Sequence, residues 1–86
     1  MIITLKGTEI DAPTATGTAS TVGSARMVRC ANAGATARLV TLEESGGTDI
    51  GTFTVPANGV QIIWKGASDK IFAASADIKL AAVANN

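Results

Sequence analysis

Glu43, Glu44 and Asp49 make up the acidic cluster of this sequence. Two carboxylates can share acid and base duty when burial or a like charge drives their ionisations apart, and hard cations such as calcium gather oxygen ligands from loops. Here Glu44 and Asp49 flank Ser45-Gly46-Gly47-Thr48, a turn signal, so the cluster belongs to a hairpin tip where water keeps carboxylates near their ordinary ionisation. No calcium-loop motif surrounds them, and a solvated tip is the simpler reading. The chain has no His and one cysteine, Cys30, so Ser-His-Asp, Cys-His and zinc-ligand arrangements cannot be assembled. The expectation is a protein that is not an enzyme and takes no cofactor or metal. Cys30 lies in an alternating apolar run, which assigns it to the core as a reduced thiol.

Seven basic residues balance seven acidic ones, and the only aromatics are Phe53, Trp64 and Phe72. Phosphate binding needs a basic footprint and base stacking needs exposed rings, so nucleic acid is not expected as a partner. Arg26, Arg29 and Arg38 are too few for an anion site and fall on different predicted faces. MIITLKGTEID has neither the basic start nor the long apolar stretch of a signal peptide, and no segment approaches the roughly 20 apolar residues of a membrane span. These features point to a protein that stays in the cytoplasm until it meets a partner, with no membrane involved. Residues 1–86 suit one domain, which at this length buries roughly 60 to 65% of the unfolded chain's surface.

What must position these groups is β-structure. Short β-branched runs are punctuated by Gly, Pro, Asn and Asp, and no helix-period stripe exceeds two turns. The class is all-β: a small antiparallel β-sandwich or barrel of about six to eight strands, immunoglobulin-like or jelly-roll-like. Strands are predicted near 1–6, 25–32, 37–44, 48–56, 59–66, 70–75 and 77–84, with a short helix near 70–76 as the alternative there. Residues 12–24 are a small-residue, low-complexity segment, read as an edge strand or an arm. Val28, Cys30, Ile71, Ile78 and Leu80 are assigned to the core.

Turn chemistry sets the register of the central meander. Gly46-Gly47 as a two-residue hairpin loop pairs Ser45 with Thr48, Glu44 with Asp49, Leu42 with Gly51, Val40 with Phe53 and Arg38 with Val55. Pro56-Ala57-Asn58-Gly59, read as a second hairpin loop, sets Val55 against Val60, Phe53 beside Ile62 and Gly51 beside Trp64. One face of three strands then carries Val40, Leu42, Phe53, Val55, Val60, Ile62 and Trp64 inward. A one-residue slip would reverse every side chain. The outer face reads Leu39, Thr41, Glu43, Ile50, Thr52, Thr54, Gln61, Ile63 and Lys65. Leu39, Ile50, Thr52, Thr54, Gln61 and Ile63 are the candidate partner interface, unless residues 1–22 or the C-terminal strands cover that face. Edge strands left open by so small a sandwich point to a homo-oligomer or attachment to a larger assembly.

The stretch MVRCANAGATARLVTLEESGGTDIGTFTVPANGVQIIWKGASDKIFAA resembles small structural proteins of tailed bacteriophages, marine ones especially. The resemblance covers roughly residues 24–75. It rests on a V-x-V-x-N-x-G pattern (Val28, Cys30, Asn32, Gly34), a Gly-turn hairpin (Gly46, Gly47), a Pro-containing turn (Pro56, Gly59), and an apolar strand ending in Lys65 with Asp69 after it. Cys30 departs from the pattern, which has a β-branched residue there. The resemblance implies a virion component, assembled in the host cytoplasm, that binds the major capsid protein or other virion proteins. A capsid decoration (cement) protein is the first reading, and a neck or tail component the next. A bacterial adhesive or carbohydrate-binding sandwich is the alternative of another class; it needs exposed aromatic platforms, and with Trp64 and Phe53 assigned to the core only Phe72 remains.

Overall fold

Runs of β-branched residues too short to bury themselves find partners by stacking sheets face to face. The computed structural model, which describes residues 3–85, has eight strands: β1 (Ile3–Leu5), β2 (Ile10–Asp11), β3 (Met27–Asn32), β4 (Arg38–Glu43), β5 (Asp49–Val55), β6 (Val60–Trp64), β7 (Lys70–Ala73) and β8 (Ile78–Asn85). They form two antiparallel sheets. One runs β1-β8-β3-β6, with β2 following β1 along the same edge of β8; the other runs β5-β4-β7. The expected β-sandwich is thus what the chain forms, and neither sheet closes into a barrel. Residues 1 and 2 of the predicted first strand lie outside the described residues, and 70–73 is strand, not helix.

The β4–β5 hairpin keeps the predicted pairs Arg38–Val55, Val40–Phe53 and Leu42–Gly51. Its tip is built differently. Glu44 N–H donates to the Thr48 carbonyl (2.8 Å) and Gly47 N–H to the Glu44 carbonyl (2.9 Å), so the loop is the three residues Ser45-Gly46-Gly47, closed by Gly47 at φ +94°. That loop shifts the register by one, so Asp49 faces Glu43 instead of Glu44. An extra residue at Ile50 then restores the predicted alignment.

The second turn overturns the meander. Gly59 N–H donates to the Pro56 carbonyl (2.9 Å), and Asn58 takes the left-handed conformation (φ 59°), as a tight turn there requires. Yet the turn carries the chain across to the other sheet, where β6 pairs with β3 and not with β5. Asn32, at the end of β3, holds both sides of the crossing. Its backbone N–H donates to the Gly59 carbonyl (2.9 Å), and its side-chain amide donates to the carbonyls of Val55 (3.1 Å) and Thr36 (2.8 Å). The β6 part of the predicted inward set is therefore reversed. Val60, Ile62 and Trp64 face outward and are exposed, whereas Gln61, Ile63 and Lys65 lie on the inner side.

Between the sheets lie Val28, Cys30, Val40, Val55, Ile71, Ile78 and Leu80, all fully buried, joined by Ala12, Val22 and Ala73, with Leu42, Phe53 and Ile63 packed against them. Residues 12–24 behave as an arm closing one side of the sandwich. Ala12 N–H bonds Ile78 in the larger sheet (2.8 Å), and the next residue, Pro13, accepts from Ala73 of β7 in the smaller one (2.8 Å). Ser20 then exchanges both backbone bonds with Ile71 (3.0 and 2.8 Å). Val22 enters the core at φ 54°, a conformation costing a β-branched residue about 1 to 3 kcal/mol, comparable to the roughly 1.5 to 3 kcal/mol that burying its side chain contributes.

Candidate functional site

Leu39, Ile50, Thr52 and Thr54 do share the outer face of the three-stranded sheet. Leu39 faces Thr54, and both Leu39 (46%) and Ile50 (51%) are solvent-exposed. Gln61 and Ile63 do not join them, because β6 belongs to the other sheet and turns both side chains inward; Ile63 packs on the core, while Gln61 stays exposed near the sheet edge. One end of this face is covered. Glu43 is buried and accepts a 2.6 Å hydrogen bond from the Thr16 hydroxyl of the arm, while Glu44 and Asp49 remain in solvent. The acidic cluster is thereby dispersed, and among the described residues no group of three His, Cys, Asp or Glu side chains gathers around a metal-sized centre.

The outer face of the five-stranded sheet is of another character. Leu5 faces Val83 across β1 and β8, and Met27 faces Trp64 across β3 and β6. Because Val28 pairs with Ala82, the register brings Met27 level with Val83. Leu5, Val83, Met27 and Trp64 thus form an apolar row across the sheet. Met27 and Val83 are buried in it, so solvent meets its two ends, Leu5 (69% exposed) and Trp64 (65%). Ile62 and Val60 continue the apolar surface along β6, at 38 and 48% exposure. Beside the row, a cleft of about 420 Å³ is lined by Met27, Trp64 and Val83 together with the basic side chains of Lys6 and Arg26.

Charged pairs lie beside this row, with Arg29 on the central strand β3 between Ala81 and Ile62. Arg29 lies 3.6 Å from Glu9, and Lys79 donates to Asp11 at 2.7 Å, a bond that raises the ammonium's pKa. Such exposed pairs contribute little to stability. They set paired charges beside the apolar row.

The remaining chemical groups are structural. Cys30 is fully buried and free, and burial pushes its thiol up to about 12, which keeps it neutral and inert at ordinary pH. Lys65, predicted to point outward, is buried along its stem and donates to the carbonyls of Gly66 (3.1 Å) and Asp69 (2.9 Å); desolvation lowers its pKa, and Asp69 partly opposes that.

Sequence reading missed the apolar row because it assumed that each strand has one wet face. The signal against that assumption was present in QIIW and LAAVA, runs that stay apolar without alternating, as strands with two apolar faces do. No protein-family model matches this chain, and neither a curated protein nor a solved structure matches it.

Proposed function

We propose that this protein is a non-catalytic docking domain of a tailed-phage virion, a capsid decoration protein in the first instance, attached through the outer face of its five-stranded sheet. The observation that carries the reading is the row Leu5-Val83-Met27-Trp64, apolar across the sheet, exposed at both ends and bordered by paired charges. An aromatic and an aliphatic anchor at the centre of a contact supply most of its energy, roughly 1.5 to 3 kcal/mol for each large side chain fully buried. A patch of this size gives modest affinity per copy. On a lattice of repeated sites, linked copies gain avidity, which suits a protein that decorates a shell. The resemblance of residues 24–75 to phage structural proteins supports the same reading, and the neutral, catalytically bare composition accords with it.

The test is co-purification with particles. Mass spectrometry of gradient-purified virions should find the chain, and cryo-electron microscopy of particles with and without it should show density on the head; density at the neck or tail would move the assignment there. Ile62→Lys should abolish attachment while leaving the fold intact. Particles that neither contain the chain nor change in its absence would refute the reading.

Trp64 also favours a second reading. Its exposure restores the aromatic platform that a carbohydrate-binding module needs. Around it, however, stand Met27, Ile62 and Val83, and the polar side chains lining its cleft are the cations Lys6 and Arg26, without a carboxylate or amide among the described lining residues to orient a sugar. Glycan-array binding that is lost in Trp64→Ala would establish the second reading in place of the first.

A further inference from the structure

β4 donates and accepts in alternation on its two sides. Ala74 N–H bonds the Leu39 carbonyl (2.9 Å), so Leu39, Thr41 and Glu43 address β7, and Arg38, Val40 and Leu42 address β5. On β5, Gly51, Phe53 and Val55 therefore turn their backbone groups to β4, and Thr52 and Thr54 turn theirs away. Among the described residues no backbone or side-chain group bonds Thr52 or Thr54 from that free side.

Natural edges are usually blunted by charge, by proline or by a bulge. β5 has these devices only at its limits: Asp49 and the irregularity at Ile50 before it, and Pro56 after it. Between them Gly51–Val55 is regular and uncharged, and no Asp, Glu, Lys or Arg occurs from residue 50 to residue 64. Behind the edge, between β5 and β6, lies a groove of about 220 Å³ lined by Leu42, Gly51, Thr52, Phe53, Ile63 and Trp64.

We propose that two copies of this chain join antiparallel through β5, on a two-fold axis at Phe53. That register alone uses the regular stretch in full. Thr52 of each copy faces Thr54 of the other, so the unpaired N–H and C=O groups satisfy one another reciprocally. Gly51 faces Val55, and the two Phe53 rings meet as a non-hydrogen-bonded pair at the mouths of the two grooves, the position in which cross-strand aromatic contact is closest. Charge favours a second copy as occupant. The edge is neutral, the chain has zero formal net charge, and the antiparallel register keeps the two Asp49 carboxylates at opposite ends. The contact is made by backbone on the smaller sheet, and it meets the docking face at Trp64, which lines both the groove and the cleft.

Sedimentation equilibrium tests it. The parent should dimerise, and Thr54→Pro, which removes only an outward-facing N–H, should weaken the dimer by roughly tenfold or more while the circular dichroism spectrum and melting profile stay those of a folded domain. Thr52→Lys combined with Thr54→Lys, which opposes lysines across the pair, should do the same. In Phe53→Cys the two thiols sit opposite each other, with Cα atoms about 4.5 Å apart, and mild oxidation should link the copies; Thr52→Cys, facing Thr54, should not link. A parent that stays monomeric to millimolar concentration overturns the proposal. So does a dimer that survives both edge variants, or one that Ile62→Lys dissolves and Thr54→Pro does not.

Discussion

β5 and β7 flank the same strand, β4, and meet opposite fates. On β7 the backbone groups turned away from β4 belong to Ile71 and Ala73: Ser20 exchanges both bonds with Ile71, and Pro13 accepts from the Ala73 N–H. On β5 the equivalent residues, Thr52 and Thr54, have no such cover among the described residues. The covered side has an arm that crosses from sheet to sheet at Ala12-Pro13, adds Ala12 and Val22 to the core, and tolerates three successive left-handed residues, Val22, Gly23 and Ser24. The open side has only the turn at 56–59 and a groove behind it. Where chain length allowed, backbone strain was accepted to seal an edge. Of the two edges beside β4, the one left unsealed is uncharged, and either water or the proposed partner strand satisfies its backbone groups.

The largest expected effect contrasts two neighbours on the open side. Ile63→Lys forces a charge against the core and should destabilise by about 3 kcal/mol or more, whereas Ile62→Lys, one residue away on the outer face, should stay within about 0.5 kcal/mol of the parent. Urea denaturation of both decides it. Equal losses would mean that β6 does not present its faces as described.

A matched proline pair compares the edges directly. Ser20→Pro deletes a bonded N–H on the sealed side and should cost about 2 to 3 kcal/mol; Thr54→Pro deletes a free one and should cost about 1 kcal/mol or less in the monomer. At the tip of the β4–β5 hairpin, Gly47 needs its positive φ, so Gly47→Val should lower stability by about 1 to 3 kcal/mol, while Gly46→Ala, with open space at its Cβ, should be nearly neutral. An unchanged melting temperature in Gly47→Val would count against the three-residue loop.

The smallest effect is spectroscopic. Trp64 is mostly exposed, so the folded monomer should emit near the wavelength of free tryptophan and be readily quenched by iodide. Attachment through the five-stranded sheet should shift the emission to the blue and protect it. A blue-shifted, poorly quenched free monomer would place Trp64 inside after all.

The positions that were legible in sequence are those where one residue type answers one local demand. Gly47 supplies left-handed backbone, and Asp69 closes its turn by accepting the Gly66 N–H at 2.9 Å. Asn32 and Gly34 stood out in sequence only as positions of a pattern; that Asn32 satisfies loop carbonyls with its amide, and that Gly34 has no room for a side chain beside Asp77, came from the structure. Gly47, Asp69, Asn32 and Gly34 all serve turns and loop closures. Less legible was the apolar outer face of the larger sheet, since a reading that expects one wet face per strand assigns every large apolar side chain to the core. Trp64, the heaviest of them, was misplaced for that reason.

Alternation, composition and turn signals were enough to determine an all-β chain, the pairing of β4 with β5, and the burial of Val28, Cys30, Val40, Val55, Ile71, Ile78 and Leu80. These properties depend on residues close in the chain or on the two-residue period of a strand. Which sheet β6 would enter was decided only in three dimensions. A four-residue turn closes a hairpin or arches between sheets with the same Pro and Asn, and the choice fell to Asn32, more than twenty residues upstream, whose two sets of hydrogen bonds hold Val55 and Gly59 at β3. Because side chains alternate, that one choice set Ile63 against the core and turned Ile62 and Trp64 to the solvent, and with them the surface on which the proposed function rests.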